Sequence, residues 1–193
     1  MSPKRNLILA SRNAHKVSEL GDLLAPHELE ALTEEVVLPP EDGTTFTDNA
    51  LGKARAAAEA LGRPAIGDDS GIEAAALGGA PGVRSARFAG EDATDGQNLE
   101  KLIAQAPVGS DLAYVCVLAL VDADGGEHVF TGRCTGVMAA APRGTGGFGY
   151  DPVFLPDDYD DDRTMAELSA EEKHAISHRG RAARALLEHL NAS

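Results

Sequence analysis

The stretch from Leu112 to Val121 limits the architecture most. It is almost uninterrupted in apolar character, carries Tyr114, Val115 and Val117, and runs into Asp124, Gly125 and Gly126. The alternating residues Val129, Phe130, Thr131 and Arg133 follow. Apolar and β-branched segments on either side of an Asp-Gly turn read as a β-hairpin. The rest of the chain mixes periods. Asn6 to Ala10 reads as a short strand, and Val17, Leu20, Leu23 and Leu24 recur at helical spacing after it. Pro64 to Asp69 reads as a strand that delivers two carboxylates into a turn at Ser70 and Gly71, and Pro152 to Leu155 reads as another strand. Strands interspersed with helices, plus one hairpin, give an α/β protein with a mixed sheet.

Helix boundaries follow from capping chemistry. Thr47 or Asp48 can cap a helix whose stripe is Ala50, Leu51, Ala54, Ala57, Ala58 and Leu61, with Gly62 as its stop. Asn49 and Lys53, off that stripe, share a face. Thr94 with Gln97, and Ser169 with Glu172, have the spacing of capping boxes. The second opens a C-terminal helix toward Leu186, Leu187 and Leu190, with Gly180 as a possible break.

With 193 residues, 43% of them hydrophobic, the chain is expected to form a single domain over 1–193 with its own core. The net charge of −14 repels phosphate over the average surface, so no nucleic-acid partner is expected. A small polyanion differs, because a few focused cations, helix N-termini and a divalent ion can hold it inside an acidic protein. The run Leu7 to Ala10 is too short for a signal or membrane segment, so a cytoplasmic protein without membrane partners is expected. Cys116 and Cys134 are the only cysteines; the hairpin brings them near cross-strand register, but reduced buried thiols are expected in that compartment.

Chemistry concentrates at a few places. Asp68 and Asp69 are costly to bury unless a cation or donors meet them, and Mg²⁺ with one or two carboxylates would satisfy that. Glu41, in a Pro-rich loop, could supply a further oxygen. Lys16 stands beside Ser11 and Asn13 at a helix N-terminus, and Lys173 precedes Ser177, His178 and Arg179; backbone N–H and ammonium groups in such company hold phosphates. The Gly144 to Asp151 stretch is neither a P-loop nor a dinucleotide fingerprint. Its glycines permit close approach to a flat ligand, with Phe148 or Tyr150 available to stack on a base. His178 has only His174 near it at ligand spacing, which is no zinc site.

Taken in order, these segments resemble the inosine triphosphate pyrophosphatase family, related in style to the Maf-like pyrophosphatases. The matching stretches are Ser11 to Lys16, Glu41 to Phe46 with Asn49 and Lys53, Asp68 to Gly71 with Leu77 to Gly82 and Ser85 to Arg87, Gly146 to Pro152, and Lys173 with Ser177 to Gly180. The resemblance implies hydrolysis of ITP, dITP and XTP to monophosphate and pyrophosphate, with Mg²⁺ as cofactor. It also implies a central mixed β-sheet flanked by helices, two lobes around an active-site cleft, and a homodimer. Carried over, the pattern implies Asp69 and Lys53 as catalytic, and Glu41, Asp68 and Asp69 as metal-binding. Substrate contacts would come from Ser11, Arg12, Asn13, Ala14, His15 and Lys16, from Ser70, from Phe148, Gly149, Tyr150 and Asp151, and from Lys173, His178 and Arg179. Two alternatives compete: a Maf-like pyrophosphatase acting on modified nucleotides, and a nucleotide sensor without turnover. An aspartyl-phosphate enzyme is disfavoured because Asp68 and Asp69 are adjacent, not separated by one residue.

Overall fold

The structure is a computed structural model and describes residues 4–192; the side chain of His15 lies outside that description. Its strands are β1 (Asn6–Leu9), β2 (Glu28–Ala31), β3 (Ala65–Ala74), β4 (Asp111–Val121), β5 (Glu127–Met138) and β6 (Phe154–Pro156). They are hydrogen-bonded in the order β2-β1-β3-β4-β5-β6. Because β1 is parallel to β2 and β3 while β5 is antiparallel to β6, the sheet is mixed. The helices are α1 (Ala14–Leu23), α2 (Phe46–Leu61), α3 (Asp95–Gln105), α4 (Ala170–Ile176) and α5 (His178–Ala192). This is the α/β class expected from the interspersed periods. Among the described residues no helix is long and apolar enough to cross a membrane.

The chain divides into two compact units, the first comprising Met1–Asp69, Cys116–Gly132 and Arg179–Ser193, the second Ser70–Val115 and Arg133–His178. In the first, Leu7 and Leu9 of β1, Leu20 of α1, Ile66 of β3, and Leu186 and Leu190 of α5 are fully buried together. The helical spacing of the leucines in α1 and α5 is what turns them onto the strands. In the second, Ile72, Leu102, Leu112, Val153 and Phe154 form the centre of a separate core. Each such side chain contributes about 1.5–3 kcal/mol relative to exposure.

Both capping boxes form, at Thr94 with Gln97 and at Ser169 with Glu172. Gly62 ends α2 in the left-handed conformation, as its position suggested. Other boundaries moved. α2 is capped by Thr45, whose hydroxyl accepts from the Asp48 N–H, two residues before the nearest expected cap. The C-terminal helix breaks at Ser177, where α4 ends, and Gly180 lies within α5. β2, with its polar sequence Glu28–Ala31, gave no periodic signal.

Asp68 and Asp69 do not leave the strand into a turn; β3 continues through Ser70 and Gly71 to Ala74. It is held there by the Ser85 hydroxyl, which accepts from the Ile72 N–H at 2.8 Å, and by the Ala74 N–H, which donates to the Ala80 carbonyl at 3.1 Å. Within a strand, successive side chains point to opposite faces. The two carboxylates therefore enter different surroundings.

Gly67, just before them, lets α2 approach β3. A Cβ there would stand 1.9 Å from the Ala50 carbonyl oxygen, a backbone atom that cannot rotate away. Gly67→Ala is expected to lower stability by about 1–3 kcal/mol through displacement of α2. Denaturant titration checks this, and an unchanged midpoint would mean that α2 is free to shift.

Candidate active site

In the first unit, α2 and β3 assemble a small acidic and amide cluster around one ammonium. Lys53, on the inward face of α2, is 6% exposed. Its Nζ donates to Glu41 Oε1 at 2.5 Å and lies 4.0 Å from Asp69 Oδ1. Asn49, one turn earlier on the same face, donates from Nδ2 to Asp69 Oδ2 at 2.9 Å. Its Oδ1 accepts from the Gly43 N–H at 2.9 Å, which fixes the amide orientation and ties the Glu41 loop to α2. Burial raises the pKa of Asp69, against the opposing pull of Lys53 and the Asn49 hydrogen bond. A carboxylate displaced upward in this way is a stronger proton acceptor than an exposed one.

On the other face, Asp68 is 1% exposed. Its Oδ1 accepts from Lys16 Nζ, its Oδ2 lies 3.6 Å from Arg179 Nε, and the Cys116 thiol donates to Oδ2 at 3.5 Å. Arg179, itself 2% exposed, donates from a terminal nitrogen to Glu19 Oε2 at 2.8 Å. Four charges thus alternate along a chain: Lys16, Asp68, Arg179, Glu19. Burial pushes Asp68 upward, but Lys16 and Arg179 outweigh it and hold the carboxyl well below its usual range. Cys116 is driven the opposite way, by burial first and by Asp68 second, so it is a protonated thiol. Both cysteines are buried and neither forms a disulfide, as expected of reduced thiols.

At the N-terminus of α1, the Asn13 N–H donates to Ser11 Oγ at 3.1 Å and Asn13 Oδ1 accepts from the Lys16 N–H at 3.2 Å. The turn is therefore preformed. Arg12 points elsewhere, donating to the Val36 carbonyl at 2.6 Å, where it pins the loop after β2.

The second unit gathers the Gly-rich segment around Asp151. This carboxylate, 3% exposed, accepts from Tyr114 Oη at 3.0 Å on Oδ1. On Oδ2 it accepts from the Phe148 N–H at 2.9 Å and from Lys173 Nζ at 2.5 Å. The Lys173 ammonium also lies 5.0 Å from the Phe148 ring centroid. Gly147, at φ +71°, leaves room for this packing: a Cβ would fall 2.0 Å from Asp151 Oδ2. Phe148 is 50% exposed and offers a ring face, whereas Tyr150 is buried with its hydroxyl donating to the Ser85 carbonyl at 2.7 Å. Of the two aromatics considered for stacking, then, Tyr150 plugs the core and Phe148 is presented. His178, the first residue of α5, stacks on Tyr114 with centroids 4.7 Å apart and planes 9° from parallel. Ser70 and Gly149 are half-buried.

Sequence reasoning thus named most of the polar side chains that cluster within each unit. It missed Glu19, Cys116 and Tyr114 as participants. Glu19 had a readable signal, three residues after Lys16 on the same helical face. Tyr114 had a weaker one, a lone phenol in an apolar strand, whose hydroxyl needs a buried partner.

The metal set expected from the sequence included Asp68. Its oxygens face Lys16, Arg179 and Cys116, whereas those of Glu41 and Asp69 converge on the Lys53 ammonium. Among the described residues no three His, Cys, Asp or Glu side chains stand together in metal-binding geometry. Two carboxylates are what Mg²⁺ typically takes from protein, with water and phosphate oxygens completing six positions.

Residues 7–189 match the model of the Ham1 family, and the chain belongs to that family. It is 48% identical to the dITP/XTP pyrophosphatase of Streptomyces coelicolor, over 94% of each chain. It is 50% identical to the protein of that name from Mycobacterium bovis, over 94% of this chain and 93% of the relative. Among solved structures, a HAM1 protein from Coxiella burnetii superposes with a TM-score of 0.86 at 40% identity, covering 97% of this chain and 99% of that one.

Proposed function

We propose that this chain hydrolyses non-standard purine nucleoside triphosphates, dITP, XTP and ITP, to the monophosphate and pyrophosphate. The observation that carries the reading is the division of labour between Asp68 and Asp69. One carboxylate is neutralised by two cations, while its neighbour is kept basic by burial, against the pull of Lys53 and Asn49 beside it. A protein that only bound nucleotide would have no use for the second.

The phosphate chemistry falls to the first unit. Glu41 and Asp69 are the residues that would hold Mg²⁺, which when bound supplies positive charge to the phosphate oxygens. Asp69 takes the proton of the attacking water, oriented for that role by the Asn49 amide on its other oxygen. The water oxygen bonds to the α-phosphorus, the bond to the bridging oxygen breaks, and pyrophosphate leaves with that electron pair. Lys16 and Lys53 stabilise the charge that accumulates on the leaving group, the usual source of catalysis in phosphoryl transfer. The α1 N-terminus, with the Ser11 and Asn13 turn, adds backbone N–H donors.

Base recognition falls to the second unit. Phe148 offers a stacking face, and Lys173 and His178 offer donors to the acceptor that hypoxanthine and xanthine carry at purine position 6. Adenine presents a donor there. Opposed donors in a dry pocket leave both groups unpaired, and a site built on such a bond discriminates by roughly 10⁴. Kinship to the family supports a homodimer in the cytoplasm, the assembly checked by sedimentation.

The decisive test is pyrophosphate release from dITP, XTP, ITP, dATP and GTP, with Mg²⁺ and with chelator. Rapid release from the first three, abolished by chelator, is expected. Equal rates on all five, or rates indifferent to chelator, would sink the substrate reading and the cation dependence respectively.

A further inference from the structure

Tyr114 lies in a strand that otherwise reads as core, yet it touches His178, assigned above to the base, and Asp151, which holds the other two groups so assigned. Its hydroxyl donates to Asp151 Oδ1 at 3.0 Å, and its ring stacks on the His178 imidazole, 9° from parallel. The ring is fixed from a third direction by Phe154, with centroids 4.7 Å apart. Tyr114 is 7% exposed, so solvent does not compete for its hydroxyl.

The contacts divide the labour within Asp151. A buried carboxylate needs its lone pairs occupied, and one left without a donor loses the hydrogen bonding that made its burial tolerable. Tyr114 occupies Oδ1, which leaves Oδ2 to gather the Phe148 N–H and the Lys173 ammonium. Phenylalanine at 114 would pack as well and would leave Oδ1 without this donor. Rotation of the Asp151 carboxylate in search of another would then disturb the Oδ2 bonds that shape the Gly-rich loop. The stacked face acts separately, because it sets the plane in which the His178 N–H groups can point.

From this we infer that Tyr114 is a positioning residue for purine selection. Its hydroxyl holds the Phe148 and Lys173 arm through Asp151, and its ring holds the His178 arm. The inference rests on the functional reading given above and assigns it a determinant that does not touch the nucleotide.

The two contacts can be separated. Tyr114→Phe removes the hydroxyl and keeps the stack; Tyr114→Leu removes both. For Tyr114→Phe, KM for dITP is expected to rise about tenfold, the consequence of a buried acceptor losing its donor, with kcat within about twofold of wild type. In the nucleotide-free protein, hydrogen exchange at the Phe148 amide should quicken by about the same factor. Tyr114→Leu should in addition lower the kcat/KM preference for dITP over dATP by about tenfold. A merely structural role would lower Tm without this split between KM and kcat.

Wild-type KM together with unchanged Phe148 exchange in Tyr114→Phe would overturn the proposal. If Tyr114→Leu does not fold, the Phe variant decides alone. Should the wild-type protein release no pyrophosphate from dITP or XTP, the functional reading fails. The Phe148 exchange rate then still tells whether Tyr114 positions the loop.

Discussion

Asp69→Asn protein is expected to bind dITP with a KM close to wild type and to turn it over about 10²–10⁴-fold more slowly, the range lost when a positioned general base is removed. The substitution is nearly isosteric. The asparagine oxygen can still accept from Asn49 Nδ2, so α2 and β3 should stay in register. What disappears is the ability to take a proton, and with it the charge facing Lys53 at 4.0 Å. Steady-state pyrophosphate release measures the loss, and a melting curve within a few degrees of wild type shows that the fold is intact. A kcat within about threefold of wild type would remove Asp69 from the base role and direct attention to Glu41, the other carboxylate on Lys53.

How far the sequence alone leads depends on whether a residue's role is local. Capping boxes at Thr94 and Ser169 were legible because both partners lie within one helical turn. The hairpin was legible for the same reason, its turn being written in Asp124 to Gly126. β2 was not, because its polar residues Glu28 and Glu30 carry no apolar alternation and the strand is held by backbone pairing to β1. Asp68 and Asp69 were visible as a pair, but their separation onto opposite faces was not. A Ser-Gly dipeptide after two carboxylates has turn chemistry, and only the distant Ser85 and Ala80 partners keep the strand extended. The same holds for the partners of Glu19 and Tyr114, although the spacing of Glu19 from Lys16 hints at its place on that face. Arg179 and Asp151 are remote from them in sequence, so no spacing rule identifies those pairings.

Asp68→Ala is expected to cost about 3–5 kcal/mol, because it removes the one carboxylate placed between two buried cations and leaves them facing each other. The Lys16 and Arg179 side chains are 23% and 2% exposed, so neither is well placed to recover hydration in place. Glu19 can neutralise only one of them; its bond runs to Arg179. For a chain of this size the loss corresponds to a fall in Tm of about 6–20 °C. Asp68→Asn should fall between Ala and wild type, since the amide oxygen still accepts from one cation but offers no net charge to either. An exposed ion pair with a single contact serves as control: Glu28→Ala, which frees Lys4 at the surface, should leave Tm unresolved from wild type. If Asp68→Ala melted with the control, the alternating charges would contribute no net stability, and Asp68 would be better explained as a group retained only to hold Lys16 toward phosphate. A large loss of stability in Asp68→Ala, set against a loss of turnover without a loss of stability in Asp69→Asn, would give the two adjacent carboxylates separate tasks: one supports the site and the other performs its chemistry.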